Sequence, residues 1–244
     1  MIAIETKNLT KKFKEKTVVN SLNLSIKQGE LFVLLGVNGA GKTTTIKLLT
    51  CLIQPTSGDA TLKGESIVSQ PQKVKEIINV SPQETAVARN LSVKENLELI
   101  ANIYGFDKQK TALKVEEMLR SFSLSEVSKD KAKTLSGGMQ RRLSIAMALI
   151  SEPQIVFLDE PTQGLDVISR RELWTAIEKL KGNVTIILTT HYMEEAGALS
   201  DRIGIMSKGE LKATGTVSEL LTQSNSKTLE EAFVLLATQK EGAQ

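Results

Sequence analysis

A single cysteine, Cys51, excludes an intrachain disulfide and a cysteine-based zinc site. No stretch approaches 18 consecutive apolar residues, so no membrane-crossing helix is expected, and any action on a membrane would need another chain to span it. The opening Met1-Ile2-Ala3-Ile4-Glu5 has no basic region followed by an apolar stretch, so no secretory signal is expected. Charge of one sign is also missing. Lys plus Arg number 31 against 28 Asp plus Glu, a net +3 that makes no case for nucleic acid as a partner. The cluster Lys11, Lys12, Lys14 and Lys16 is broken by Phe13 and Glu15 and reads as a solvated strand end or turn. What is present is 41% hydrophobic content over 244 residues, enough for one large core or a core with a small subdomain. Cys51, at the end of an apolar helical stretch, reads as a buried, inert thiol.

The most informative stretch is Gly36 to Thr44, which follows the apolar run Leu31–Leu35 and precedes Ile46, Leu48 and Leu49. Gly36, Gly39, Gly41, Lys42 and Thr43 fit G-x-x-x-x-G-K-[ST] in its required strand–turn–helix context. In such a loop, backbone N–H groups wrap the phosphates of a nucleotide, and glycines admit the close approach. A helix starting near Lys42 would offer unpaired N–H groups and a partial positive charge to the anion. Lys42 would add a full charge, and the Thr43 hydroxyl would ligate Mg²⁺. Asn38, Ala40 and Thr44 complete the expected nucleotide-contacting stretch.

Residues 2–10 and 17–26 alternate apolar and polar, as half-buried antiparallel strands do, with Phe13 between them. Short strands are expected at 60–63 and 77–80. From 84 to 150 the spacing turns helical, as in Val93, Leu97, Ile100 and Tyr104, and in Val115, Met118, Leu119 and Phe122. Apolar strands return at 155–158 and 185–188, with a helix through Leu173, Ile177 and Leu180 between them. Two short strands are expected at 202–207 and 210–214, then a final helix around Leu229–Leu236 and a frayed polar end from Gln239. Strands alternating with helices imply a largely parallel sheet covered on both faces.

Asp159 and Glu160 directly follow the strand at 155–158, which puts two carboxylates at its C-terminal edge, where open α/β sheets bind ligands. Adjacent buried anions need a cation. In the manner of P-loop NTPases, Asp159 would be the acidic partner of Mg²⁺, leaving Glu160 free as a general base for water. The competing reading is an Asp-Glu helix cap before Pro161. Leu135-Ser136-Gly137-Gly138-Met139-Gln140 looks like a second helix N-terminus suited to an anion, although Ser-Gly-Gly alone usually marks a loop.

Together, the phosphate loop, this hexapeptide and the strand at 155–160 resemble the signature of ATP-binding cassette (ABC) transporter ATPases over nearly the whole chain. The resemblance implies a P-loop NTPase (RecA-like) α/β core with an N-terminal antiparallel β subdomain and an inserted α-helical subdomain. The expected division is 1–83 with 151–220 for the core, 84–150 for the helical insertion and 221–244 for a C-terminal extension. It implies that Phe13 stacks on adenine, against the alternative of a packing residue between strands. Gln83 resembles the family's glutamine loop, reaching Mg²⁺ and the water, against a plain turn after Pro82. His191, the single histidine, would contact the γ-phosphate, against a merely satisfied polar residue. Asp166 resembles the loop that communicates across a cassette dimer, although Gln163-Gly164 departs from the commoner Ser-Ala.

In the family two cassettes pack head to tail, so that ATP lies between one loop 36–44 and the partner's Ser136, Gly137, Gly138 and Gln140. The resemblance thus implies ATP and Mg²⁺, a second cassette (a homodimer), an integral membrane permease, no nucleic acid, and a peripheral place on the cytoplasmic face of a membrane. Segments around Gly137, Gln163, Thr190 and Thr228 favour the export branch. A DNA-maintenance ATPase would need a long heptad insertion, and Lys42 and Ser136 lie only 94 positions apart (136 − 42). A ribosome-associated relative would carry two cassettes.

Overall fold

The computed structural model describes residues 1–238. The expectation about Gln239 onward lies outside them. β1 (Ile2–Phe13) and β2 (Lys16–Lys27) form an antiparallel hairpin whose turn places Lys14 at φ 52. Phe13 does not lie between the strands; it is the last residue of β1. β3 (Leu31–Leu35) is buried at every position and leads through the loop to α1 (Lys42–Leu49). β4 (Ser57–Leu62) and β5 (Glu65–Ser66) join the hairpin in a four-stranded sheet ordered β2-β1-β4-β5.

α2 (Pro71–Ile77) was not expected. It claims Ile77, so β6 (Ile78–Ser81) begins one residue later than the apolar run implied. The insertion holds α3 (Val93–Ile103), α4 (Lys108–Ser121), a 3-10 turn at Ala132–Thr134 and α5 (Gly137–Leu149). Ser92 and Glu95 close a capping box on α3, and Asp107 caps α4. Tyr104, expected on the buried face of α3, is 44% exposed, because it is the C-cap where the helix runs out.

β7 (Ile155–Asp159), α6 (Val167–Glu178), β8 (Thr185–Thr190), α7 (Met193–Leu199), β9 (Arg202–Ser207) and β10 (Glu210–Gly215) complete the core. The second sheet is ordered β10-β9-β3-β8-β7-β6, parallel except at β10. α8 (Val217–Ser224) and α9 (Leu229–Thr238) follow. α8 was also unexpected, and the anticipated boundary at 221 falls inside it. Cys51 is only half-buried and follows α1 at φ 57; burial pushes its thiol pKa up, which keeps it protonated.

The parallel strands are apolar throughout because each serves two cores. Leu31, Val33 and Leu35 pack with Val156, Leu158, Ile186 and Leu188 under α3–α9, while Phe32 and Leu34 pack with Phe157, Ile187, α1 and the antiparallel sheet. Their common direction collects the C-terminal ends of β3, β6, β7 and β8 at one edge.

Candidate functional site

At that edge lies a cavity of about 300 Å³ lined by Val18, Asn38, Gly39, Gly41, Lys42, Thr43, Thr44, Gln83, Glu160 and Gln163. Gly41 caps α1 at φ 109 without a side-chain hydrogen bond, leaving the first-turn N–H groups facing the cavity. Only glycine suits it, since an added Cβ would come within 2.7 Å of the Val18 carbonyl.

Lys42 Nζ donates to the Gly36 carbonyl at 2.7 Å and sits 3.1 Å from Glu160 Oε1, with both side chains buried. Glu160 Oε2 lies 2.8 Å from His191 Nδ1. Glu160 itself holds φ 48, in the left-handed region, and is fixed there by N–H donation to the Thr189 carbonyl and hydroxyl, each at 3.1 Å. A non-glycine residue held in that region costs on the order of 1 kcal/mol or more, an expense tolerated where a side chain must be aimed. Asp159 Oδ1 accepts from Thr189 Oγ1 at 2.5 Å and Thr43 Oγ1 at 3.2 Å. Gln83 Nε2 donates to Gln163 Oε1 at 2.5 Å across the cavity mouth.

Thr43, Asp159 and Gln83 offer a hydroxyl, one carboxylate and an amide, all oxygen donors. That set suits Mg²⁺, which keeps several waters and takes its remaining ligands from phosphates. Among the described residues no group of three or more His, Cys, Asp or Glu could hold a metal ion.

The other expected residues lie apart from this cavity. Phe13 ends β1, 47% exposed, with Lys11 Nζ 5.1 Å from the centroid of its ring. Ser136 caps α5 by accepting from Met139 N at 3.2 Å, and Gln140 Nε2 donates to the Leu135 carbonyl at 3.1 Å. Asp166 caps α6, accepting from the Ile168 and Ser169 N–H groups and the Ser169 hydroxyl; the Ser169 N–H holds its carboxyl below the usual range. The N-termini of α5 and α6 touch: a Cβ on Gly138 would meet Ser169 Oγ at 2.8 Å. Gly137 faces open space, and Ala40, within the loop itself, is buried.

Sequence reasoning missed Val18, Gln163, Thr189, Glu195 and Arg141. Glu195, on α7, is fully buried, accepts from Trp174 Nε1 at 3.1 Å, and has its pKa pushed up by burial. Burial also lowers the Arg141 guanidinium to about 10.

The family model described as ABC transporter matches residues 19–163. The linearmycin resistance ATP-binding protein LnrL of Bacillus subtilis is 39% identical over 93% of this chain and 73% of its own length. The human phospholipid-transporting ATPase ABCA3 is 43% identical over 87% of this chain, which spans only 13% of that protein. A solved ATP-binding subunit of an ABC transporter superposes with a TM-score of 0.85 at 28% identity, covering 96% of this chain and 99% of that one. With the loop 36–44 and the carboxylates at one edge of a parallel sheet, the chain belongs to the ABC transporter family and has the P-loop NTPase fold of its nucleotide-binding subunits.

Proposed function

We propose that this chain binds and hydrolyses ATP and that the hydrolysis drives transport, in the export direction, through a separate integral membrane permease. The observation that carries the reading is the chain Lys42–Glu160–His191 beside the loop 36–44, with Lys42 and Glu160 buried and His191 partly exposed. A buried ion pair is weak evidence for stability and better evidence for a site whose charges await a third party. An arriving γ-phosphate replaces Glu160 as the partner of Lys42. Glu160, released from Lys42 and still oriented by its strained backbone, is then the general base for the attacking water. His191 holds the other Glu160 oxygen and lies where it can contact the γ-phosphate. Thr43, Asp159 and Gln83 would hold Mg²⁺, whose charge offsets that of the phosphates.

Asn38, Gly39, Ala40, Gly41 and Thr44 cradle the phosphates, and Phe13, exposed at the end of β1, stacks on adenine. Two copies close head to tail, bringing Ser136, Gly137, Gly138, Gln140 and Asp166 of one against the ATP of the other. Loss of the γ-phosphate reopens them. The cassette works at the cytoplasmic face on a membrane partner, a reading supported by relatives named as transporter ATP-binding proteins; no described helix is long and apolar enough to cross a membrane. Export is favoured by relatives named for linearmycin resistance and, in Escherichia coli, as a probable multidrug ABC transporter ATP-binding protein, 38% identical over 96% of this chain.

The test is ATP turnover by the purified chain with Mg²⁺ and with EDTA, followed by co-purification of a permease from native membranes and transport in vesicles. Turnover abolished by EDTA and substrate moved outward are expected. Turnover unaffected by EDTA, or ATP-driven uptake dependent on a binding protein, overturns the corresponding part.

A further inference from the structure

β6 and β7 pair in parallel from Ile78↔Ile155 to Ser81↔Leu158, and the ladder then stops. The next residue on β6's strand is Pro82, which has no N–H to offer, so the backbone cannot tie the Gln83 segment to the end of β7. A side chain from elsewhere does so. Arg141, on α5 and only 4% exposed, donates from Nη2 to the Asp159 carbonyl at 2.6 Å and from Nε to the Pro161 carbonyl at 2.9 Å. Its Nη1 donates to the Pro82 carbonyl and, at 3.2 Å, to the Gln83 carbonyl. These carbonyls flank Gln83 on one side and Glu160 on the other. The guanidinium hydrogen-bonds only main-chain carbonyls, while the nearby charges of Asp159, Glu195 and Glu160 favour its charged form without bonding to it. A planar fork with five donors can span two strand ends in this way; an ammonium point charge cannot.

We propose that Arg141 is a positioning residue that splices the Gln83 segment to the Asp159–Pro161 turn where the sheet ladder ends. It thereby links the helix that begins at Ser136 to the geometry of Gln83 and Glu160. Arg141 lies behind the cavity and touches no reacting atom. The assignment rests on the hydrolysis reading above for its consequence, though not for its geometry.

Two variants test it. Arg141→Gln removes the fork and the charge; Arg141→Lys keeps the charge and removes the fork. Cleavage by a glutamate-specific protease at Glu84, exposed beside Gln83, reports the tether, with exposed Glu15 in the β1–β2 turn as the internal control. In both variants cleavage at Glu84 rises at least fivefold and cleavage at Glu15 stays within twofold. ATP turnover falls at least tenfold, while affinity for a fluorescent ATP analogue stays within threefold. Unchanged cleavage at Glu84, or turnover and affinity falling together, overturns the assignment. Rescue of turnover by lysine shows that charge alone suffices and also overturns it. If neither variant folds, Arg141 holds the fold rather than the segment, and the assignment falls. The protease readout needs no turnover, so a wild-type chain that fails to hydrolyse ATP would sink the hydrolysis reading while leaving the tether measurable.

Discussion

Two glycine-rich helix starts, at α1 and at α5, look alike in sequence and are finished in opposite ways. α1 begins behind Gly41, with no side chain capping it, and its charges Lys42 and Glu160 neutralise each other. α5 begins behind Ser136, whose hydroxyl accepts from Met139 N at 3.2 Å. The first start is left open for an anion from outside. The second is already satisfied from within, and a phosphate reaching it gains a hydroxyl but must compete with an existing cap. Only α1 is backed by the carboxylate edge of the sheet. The pair of glycines is common to both; the missing side-chain cap together with the neighbouring Lys42–Glu160 pair sets the first start apart from the second.

The largest effect should come from the open start. Glu160→Gln keeps the shape of the side chain and removes the base, so turnover should fall about 10³-fold, within the range for loss of a general base. ATP affinity should persist and an ATP-dependent dimer accumulate, as read by size-exclusion chromatography. Near-normal turnover in that variant would remove Glu160 from the chemistry. Lys42→Ala should weaken ATP binding on the order of 100-fold, about 3 kcal/mol, as expected for loss of a charge-assisted contact to phosphate. Isothermal titration checks it, and undiminished affinity would mean the α1 start does not bind the phosphates.

At the capped start the same logic predicts a different signature. Ser136→Ala removes the cap of α5 and should cost about 1 kcal/mol of stability, seen in denaturant melts. Its effect on ATP affinity of the isolated chain should be negligible, because Ser136 lies outside the cavity. If two copies close head to tail as proposed, turnover should nevertheless drop, since the hydroxyl would then face the ATP of the second copy. Loss of affinity equal to that of Lys42→Ala would erase the difference between the two helix starts.

The open start was legible in the sequence because its chemistry is local: residues 36–43, leading from an apolar strand into a helix, dictate both backbone and charge. The strand ends carrying Asp159 and His191 were legible for the same reason. α2 escaped because it is short and buries only Val74. α8 escaped although Thr216 and Glu219 form a capping box that the spacing Thr-x-x-Glu could have revealed; only Leu220 is buried there, so no apolar stripe drew notice. Arg141 was illegible. Its partners are main-chain carbonyls 20 and 59 positions away, and carbonyls carry no sequence signal. Gln163, whose partner Gln83 is 80 positions off, hid in the same way.

Glu195 lies where the two regions meet, bonded to Trp174 of the helix that Asp166 caps and near enough to Glu160 to feel its charge. Its Oε2 finds no hydrogen-bond partner among the described residues. Burial raises its pKa, so the folded chain prefers the neutral carboxyl. The stability this contributes is fully present below the unfolded glutamate value of 4.5 and is lost as pH rises through the folded value. Glu195→Gln keeps an acceptor for Trp174 and never ionises. At pH 8 the variant should therefore be the more stable by about 1 kcal/mol, the scale of one unsatisfied buried acceptor, or ~3 °C in Tm. The advantage should shrink as pH is lowered toward 4.5. Thermal melts of both chains from pH 8 to 4.5 decide it: a gap that stays constant across that window would mean that folding leaves the Glu195 pKa unshifted, and a variant weaker at pH 8 would mean that the charged carboxylate is the form the fold stabilises.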